Sequence, residues 1–462
     1  MRGRSAGMGG VEVGNWFGDA GSRPAVIVEA ETAEEIAAIL RDRERYPNPV
    51  RAAGSNHAAT ACGAAAGGTL IEMRRMDRVL EIGADHVTAQ AGARSRDVAR
   101  ELRGRGLQLH VNPELGDLTI GAAACTGARD SSMPGESGQT ASYATSIKLI
   151  TPAGDPVEIT ESDPELLRLA RSSHGLLGTV YEATFRVRPQ VPMRVRHERH
   201  RLADLERALL APRERGESIT LYLDPFTDAL LVERRAYQED LAGHEVGDGP
   251  WPLRNAIWGR WAPGAGHLVR RVAPAGPARH VLTDVASRLT VRAATTAVRG
   301  ERTAAAAQQA AGGAASTFST WAFPEERYAL CVRRYVEFAR QHQREHGYRP
   351  DLLAAGRRLE ADQGSLLSQS FDGPVVTIDP VSTGGAGWDD FLRAYNDLGA
   401  ELGGVPLLDQ TSLLTRAHVD RAFGERIARF EVVRGRYDPA DRLLTPFFGE
   451  LLAAAPPPAI AV

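Results

Sequence analysis

The sequence predicts an α+β fold in two domains with a C-terminal helical segment. Its 462 residues exceed what one ordinary hydrophobic core holds. Short apolar runs alternate with helical patterns from residue 25 to 190, and regular helix and strand patterns return after residue 325. We therefore predict a first domain over 1–190, a second over 191–410, and a helical segment over 411–462 that returns to the first domain.

The first domain begins with a strand followed by a helix. The run "AVIVEA" reads as a strand, and the next segment has Thr32 and Glu35 at the spacing of a helix-capping box. Ser95 and Ser162 are predicted to cap two more helices, the latter with Glu165 in the same capping spacing. Period-two or β-rich runs predict the other strands, over 49–53, 68–73, 86–92, 107–111 and 178–189, and a hairpin over 144–160.

The second half is regular only in its later part. Helical patterns cover 325–343, 388–402 and 416–437, with a β-rich run at 373–381. Before them, residues 244–316 are rich in Gly, Pro, Trp and Ala. Such composition predicts a long, partly mobile excursion or lid.

The overall composition is that of a soluble globular protein. Hydrophobic residues make up 43% and charged residues 24%, with a net charge of −3. No basic run is interleaved with aromatic residues, so no nucleic-acid partner is expected. The N-terminus lacks the apolar region of a signal peptide, and no window holds the roughly 20 apolar residues of a membrane span. We expect a cytoplasmic protein.

Cysteine, lysine and histidine usage limits the chemistry. The three cysteines, Cys62, Cys125 and Cys331, are odd in number and scattered, which argues against disulfides and a zinc cluster. Lys148 is the only lysine, and arginine does not readily act as a base. The segment "HERH" at 197–200 has two histidines but no third ligand nearby, so no metal is expected.

Common nucleotide and nucleophile motifs are absent, and two loops of small residues remain. No strand leads into G-x-G-x-x-G, and neither a P-loop nor a G-x-S-x-G elbow occurs. The loops are "AAGSNHA" at 52–58 and the glycine- and alanine-rich stretch at 118–142. Small residues let backbone N–H groups approach phosphate oxygens. The alternative is that they only permit close packing of strands.

Several motifs together resemble one family. They are "VRAAGSNHA", "GTLIEMRRMDRVLEI", "HVTAQAG", "GDLTIGAAACTG" and "LARSSHGLLGTVYEATFRVRPQ", in that order, with a looser match at "RFEVVRGRYDPADRLLTPFF". They resemble the PCMH-type FAD-binding domain of the vanillyl-alcohol-oxidase superfamily, nearest its sugar-lactone and alditol oxidase branch. The resemblance implies a two-subdomain FAD-binding domain and an α+β substrate (cap) domain whose sheet covers the flavin.

The resemblance also implies which residues bind FAD. His57 matches the histidine that often bonds covalently to the flavin 8α-methyl group, although Asn56 and Ala58 replace the usual flanking glycine and serine, and Ala122 replaces a glycine. These departures leave covalent attachment open. The implied cofactor-binding residues are Ala53, Gly54, Ser55, Asn56, His57, Ala58, Thr119, Ile120, Gly121, Ala124, Cys125, Thr126, Gly127, Gly178 and Val180.

In the cap domain the resemblance is weaker. "GRRLEADQGSLLSQS" is similar to the branch's substrate segment, which implies catalytic roles for Arg357, Asp362 and Ser368. Gln410 stands where relatives have a lysine, and Ala355 where they have a glutamate two positions before the arginine. The alternative for these positions is an ordinary surface or capping role. The two replacements indicate a substrate unlike simple lactones or alditols.

The function implied is an FAD-dependent oxidoreductase that oxidises an alcohol-bearing small metabolite by hydride transfer to the flavin. Its partners are then the small-molecule substrate and molecular oxygen or another electron acceptor. Oxygen as acceptor makes it an oxidase, and another acceptor makes it a dehydrogenase. A third hypothesis is a flavin-binding protein whose substrate site has decayed.

Overall fold

The computed structural model describes residues 4–5, 11–18, 20–113, 115–244, 246–305 and 316–452. Two sheets form its N-terminal part. Their strands and one small hairpin are β1 (Arg4–Ser5), β2 (Val13–Gly14), β3 (Gly21–Ser22), β4 (Val26–Glu29), β5 (Val50–Ala53), β6 (Thr69–Glu72), β7 (Val79–Ile82), β8 (His86–Gln90), β9 (Leu107–Leu109), β10 (Ala144–Ile150), β11 (Pro156–Thr160) and β12 (Thr179–Pro189).

The first sheet has the strand order β1-β4-β6-β5, with β4, β6 and β5 parallel. Helix α1 (Ala33–Arg41) crosses from β4 toward β5 and buries Ile36, Ile39 and Leu40. Thr32 caps it by accepting a hydrogen bond from the Glu35 N–H, as the sequence predicts. This β–α–β arrangement places the chain leaving β5 at the carboxyl edge of the sheet, where ligand loops commonly lie.

The second sheet is antiparallel, with the order β11-β10-β12-β8-β7 and β9 paired to β12. Three helices lie between the strands of this sheet in chain order: α2 (Ser95–Arg103), α3 (Ile120–Cys125) and α4 (Pro164–Ala170). The predicted capping roles of Ser95 and Ser162 are wrong. Ser95 is the first residue of α2 and donates its hydroxyl to the Leu118 carbonyl, and Asp163 caps α4 by accepting from the Leu166 N–H.

The second half contains an eight-stranded antiparallel sheet with the order β16-β13-β15-β14-β19-β20-β18-β22. We call it the cap sheet. Its strands are β13 (Met193–Arg201), β14 (Ser218–Asp224), β15 (Ala229–Tyr237), β16 (Arg302–Ala304), β18 (Trp321–Pro324), β19 (Ala354–Leu359), β20 (Val375–Ile378) and β22 (Val405–Pro406), while β17 (Thr317–Phe318) pairs with β21 (Val381–Ser382) beside it.

The two faces of the cap sheet differ in chemistry. Side chains alternate across a strand, and residues paired across strands share a face. One face is aliphatic and, with α5 (Leu205–Glu214), α9 (Tyr328–His346) and α10 (Trp388–Glu401), forms a hydrophobic core that includes Leu221, Val232 and Ile378. The opposite face carries polar residues on its central strands. It faces the loop that follows α3, because Ser131 and Thr220 are hydrogen-bonded at 2.7 Å.

The segment expected as an irregular excursion is mostly helical. It contains α6 (Trp251–Ala256), a π-helical turn (Ile257–Trp261), α7 (Ala262–Val272) and α8 (Pro277–Ala297), which we call the helical layer. Val291 and Ala294 of α8 pack against Leu231 of the cap sheet. The alanine-rich residues 306–315 lie outside the described residues.

Three C-terminal helices pack onto the core of the first two sheets. They are α11 (Arg416–Phe423), α12 (Glu425–Tyr437) and α13 (Pro446–Leu452), and the predicted single helix over 416–437 is broken at Gly424, which has φ 51°. Arg442 is fully buried and donates hydrogen bonds to the carbonyls of Ile39, Leu40 and Tyr46. The C-terminal helices thus share a hydrophobic core with the first two sheets, and the α+β class is confirmed. None of the described helices combines the length and apolar character required to cross a bilayer.

Candidate active site

The two small-residue loops lie in contact with each other. Gly54 follows β5, and a Cβ atom at this position would overlap the side chain of Thr119, which precedes α3. The Ser55 hydroxyl donates to the Asp117 carbonyl at 2.5 Å. Glycine at 54 is therefore required by a close approach between the loops, and both loops border one region of the surface.

His57 is half-buried at the end of the first loop. Asn56 before it has φ 52°, a left-handed conformation that asparagine adopts more easily than most residues, so it can replace the usual glycine. The Nδ1 atom of His57 is buried and has no hydrogen-bond partner among the described residues. Burial lowers the pKa of His57, with Asp117 opposing and Arg94 adding to the effect. Burial thus favours the neutral form of the ring, and Nδ1 stays without a hydrogen-bond partner among the described residues.

An N-terminal hairpin, formed by β2 and β3, covers this loop. The Trp16 N–H donates to the Asn56 carbonyl and the Asn15 amide donates to the Ala58 carbonyl, each at 3.0 Å. The Trp16 and His57 rings lie 6.3 Å apart. Sequence reasoning missed this contact, and no signal in residues 11–22 indicated it.

The second loop rests on the end of β8. The N–H groups of Ile120 and Gly121 donate to the carbonyls of Ala93 and Ala91, each at 2.8 Å, and a Cβ at Gly121 would contact Ala91. Thr126 and Gly127, after α3, are half-buried. Gly127 packs so closely on Leu407 that a Cβ there would overlap it.

Some residues implied in FAD binding have buried side chains. Burial raises the pKa of Cys125 to about 12, so this residue stays a thiol. A Cβ at Gly178 would overlap the Ile150 carbonyl, which fits the close-packing alternative for this glycine. Only the backbone of such residues could reach a cofactor, since the side chains of Ala53, Ile120, Ala124, Cys125 and Val180 all lie within hydrophobic clusters.

The residues present fit an FAD molecule. The loops at 54–58 and 119–127 combine glycine close approaches with half-buried backbone, which suits a ligand with phosphate groups. The buried, unpartnered Nδ1 of His57 suits covalent attachment to a flavin. FAD, when bound, accepts the hydride equivalent from a substrate carbon.

The polar face of the cap sheet contains a buried ion pair. Arg357 Nη1 lies 2.5 Å from Asp379 Oδ2, and both side chains are at most 11% exposed. The hydroxyls of Thr377 and Thr320 also donate to Asp379. Burial raises the pKa of Asp379, while Arg357 and then Arg129 oppose that effect.

The carboxylate of Asp379 stands opposite the position where the family glutamate is missing. Ala355 and Asp379 exchange two backbone hydrogen bonds of 2.9 and 2.8 Å across the strands, so they are directly paired. Paired residues share a face of the sheet. The acidic group absent at 355 is therefore present on the neighbouring strand, next to Arg357.

Arg129 connects this pair to the FAD-binding side. It lies just beyond Gly127, and its guanidinium donates to Thr320 Oγ1 and Gln369 Oε1, each at 2.6 Å. Its Nη2 is 4.0 Å from Asp379 Oδ1. Sequence reasoning missed Arg129, Gln369, Thr320 and Asp379, although a charge in the small-residue loop and an aspartate ending an apolar strand were available signals.

The helical layer borders the same face. Trp258, in the π-helical turn, stacks on Tyr222 with ring centroids 3.9 Å apart, and Arg254 donates to the Tyr222 hydroxyl at 2.6 Å. π-helical turns are frequent at functional sites. Arg254 also binds Glu233, which lies 2.8 Å from His197. His197 thus belongs to a buried ionic network, and the described residues hold no cluster suited to a metal ion.

Gln410 contacts the first loop, and its catalytic role stays a prediction. Its Oε1 accepts from the Ala59 N–H at 3.3 Å, and its Nε2 lies 3.5 Å from the His57 carbonyl. The Ser412 hydroxyl donates to the Ala59 carbonyl at 2.6 Å. The segment around Gln410 therefore joins the cap domain directly to His57.

Asp362 and Ser368 have contacts typical of structural positions. Asp362 accepts from its own loop, at the Gly364 N–H, and from the Ser142 hydroxyl at 2.5 Å. Ser368 is buried and accepts from the Gln139 amide and the Ser370 N–H. Their catalytic roles stay predictions. The single lysine, Lys148, is ion-paired with Glu182 at 2.7 Å on the second sheet.

Comparison with known proteins agrees with this geometry. Residues 24–160 match the model of the FAD binding domain family. The L-gulono-1,4-lactone dehydrogenase of Mycobacterium tuberculosis is 22% identical over 92% of this chain and 95% of its own length. The D-arabinono-1,4-lactone oxidase of Eremothecium gossypii is 29% identical over 38% of this chain and 34% of its own.

Two solved structures share the fold across the whole chain. A solvent-stable cholesterol oxidase has a TM-score of 0.75 at 15% identity, covering 96% of this chain and 97% of that one. Cholesterol oxidase from B. sterolicum has a TM-score of 0.72 at 14% identity, covering 96% of each chain. The chain is thus an FAD-dependent oxidoreductase with a PCMH-type fold. Residues 24–160 match an FAD binding domain, and the relatives of the chain include sugar-lactone oxidases and dehydrogenases.

Proposed function

We propose that this enzyme oxidises a hydroxyl group of a small metabolite in the space between the two FAD loops and the polar face of the cap sheet. The observation that carries the proposal is the Arg357–Asp379 pair, which Arg129 and Thr320 connect to the loop beside Gly127. A buried, fixed guanidinium stabilises negative charge on a substrate oxygen better than a solvated one.

The proposed roles follow from charge and position. Arg357 and Arg129 orient the substrate oxygen and stabilise it as its proton leaves. Asp379 holds Arg357 in place, and burial raises the pKa of Asp379, which favours uptake of the substrate proton by this carboxylate. Gln410 hydrogen-bonds near His57 in place of the family lysine, without supplying a charge.

Molecular oxygen is the proposed electron acceptor. A dehydrogenase is the second candidate, since the relative from M. tuberculosis that aligns over 92% of this chain is named a dehydrogenase. We also propose a cytoplasmic location, supported by three free, buried cysteines.

The test is anaerobic titration of the FAD-loaded protein with a panel of sugar lactones, alditols and other alcohols. A substrate bleaches the flavin absorbance without any other reductant. Air is then admitted, and reoxidation within seconds identifies an oxidase, whereas slow reoxidation that dichlorophenolindophenol accelerates identifies a dehydrogenase. Absence of bleaching with every alcohol and lactone would contradict the proposal and favour a decayed site.

A further inference from the structure

The helical layer has an outer surface unlike the rest of the chain. Eight of the thirteen large hydrophobic side chains that are exposed among the described residues fall between 253 and 289. They are Leu253, Trp261, Leu268, Val272, Val281, Leu282, Val285 and Leu289. We call this surface the apolar stripe. Exposed apolar side chains concentrated in one region usually mark an interaction site.

The first half of helix α8 exposes aliphatic side chains and buries polar ones, whereas Val291 and Ala294 in its second half are buried. It buries Thr283 and Ser287 against the protein, while Val281, Val285 and Leu289 are 45–61% exposed. The exposed residues recur every four positions, so they lie on one side of the helix. A helix whose only partner is the protein interior would place these aliphatic side chains inward.

Helix α7 continues the pattern. Trp261, at its start, and then Leu268 and Val272 are 53–67% exposed and are separated by seven and four residues, which again places them on one side. Tryptophan is enriched where proteins meet the interface of a bilayer.

The charge of the layer is opposite to that of the chain. Residues 251–300 contain eight arginines and one acidic residue, Asp284, whereas the whole chain has a net charge of −3. Arg260, Arg271, Arg288, Arg292 and Arg299 are exposed. Arg288 and Arg292 lie on the same side of α8 as the apolar stripe. Apolar side chains flanked by arginines are typical of helices that lie in a membrane interface and are attracted to anionic lipids.

We propose that the apolar stripe and its arginines dock this enzyme onto the surface of an anionic lipid bilayer. A second copy of the chain fits less well, because a symmetric dimer through this face would bring two arginine-rich surfaces together. Docking inserts the apolar stripe at the level of the lipid head groups, with the arginines bound to lipid phosphates. The inner side of the same layer carries Trp258 and Arg254, so the bilayer would lie behind the candidate active site.

The test is co-sedimentation of the full-length, FAD-loaded chain with lipid vesicles. Wild type is expected to bind vesicles of equal phosphatidylglycerol and phosphatidylcholine, to bind phosphatidylcholine alone at least tenfold more weakly, and to be released by salt. The double variant Val285→Ser/Leu289→Ser is expected to bind at least tenfold more weakly. The double variant Arg288→Gln/Arg292→Gln is expected to bind the anionic vesicles about fivefold more weakly for each arginine removed.

Matched controls come from exposed residues elsewhere. Leu330→Ser/Val432→Ser and Arg344→Gln/Arg421→Gln change the same residue types on α9, α11 and α12 and should bind like wild type. Flavin content and thermal melting verify that each variant is folded. The proposal is overturned if the wild-type protein does not bind anionic vesicles. It is also overturned if the control variants lose as much binding as the variants of the apolar stripe and its arginines. A wild-type dimer in light scattering that the Val285→Ser/Leu289→Ser variant abolishes would overturn it as well.

Discussion

Asp379 and Ala355 are direct partners across two antiparallel strands, and the Asp379 carboxylate binds the Arg357 guanidinium two residues further along. The family resemblance implies a glutamate at position 355, where this chain has alanine, and the directly paired residue on the opposite strand is an aspartate. Such a replacement keeps a carboxylate beside the arginine while moving it by one strand spacing, about 5 Å.

Asp379→Asn should reduce turnover strongly while leaving flavin content unchanged. The amide cannot balance the buried Arg357 charge, so the free energy of unfolding should fall by about 3 kcal/mol. Loss of orientation of Arg357 should lower kcat by about a hundredfold. Steady-state kinetics with the substrate found by flavin bleaching, and urea unfolding, measure the two effects.

The double variant Ala355→Glu/Asp379→Asn separates positioning from general destabilisation. A carboxylate placed at position 355 lies on the same face of the sheet as Arg357. The kcat of the double variant should therefore be at least tenfold higher than that of Asp379→Asn alone. If unfolding stability returns without any recovery of kcat, the pair has only a structural role.

His57→Ala tests the covalent link. Wild-type protein denatured in acid and run on a denaturing gel should keep its flavin fluorescence, because the buried Nδ1 of His57 has no other partner among the described residues. The variant should bind FAD when native and release it on denaturation. Persistent fluorescence of the denatured variant would show that another residue carries the flavin.

Gly54→Ala should weaken FAD binding by separating the two loops. The added Cβ would overlap the side chain of Thr119, a β-branched residue with little freedom to move. We expect at least tenfold weaker FAD affinity, measured by flavin fluorescence quenching. Gly63→Ala is the control, since nothing lies within 4 Å of its Cβ position. If both substitutions weaken FAD affinity equally, the close contact between the loops is not what FAD binding depends on.

The sequence predicted most of the first domain and less of the second. The Thr32 cap followed from a local signal, because capping geometry is short-range, whereas the roles of Gly54 and His57 came from the family resemblance. The Arg357–Asp379 pair was missed, since it depends on the register between β19 and β20, which no local pattern specifies. The helical layer was missed because several of its aliphatic side chains, such as Val281, Val285 and Leu289, face outward, which weakens the usual periodicity signal.

Stability should fall as the pH drops below about 6.5, in part through His110. Its ring stacks on Tyr143 at 4.6 Å, and burial, with a smaller contribution from Arg188, lowers its pKa to about 4. In the unfolded chain this histidine takes up a proton near pH 6.5, whereas in the folded chain it does so only near pH 4. The free energy of unfolding therefore keeps its full value above pH 6.5 and decreases progressively between pH 6.5 and pH 4. His110 is only half-buried, so solvent screening should limit the effect to about 1 kcal/mol.

His110→Phe isolates this contribution. Phenylalanine keeps the stacking on Tyr143 but cannot bind a proton, so the variant's free energy of unfolding should fall less than that of wild type between pH 7 and pH 4. Urea unfolding at a series of pH values measures the difference. His244→Phe, at an exposed loop position, is the control and should follow the wild-type curve. If wild type and His110→Phe lose stability in parallel over this range, His110 is not the group that titrates.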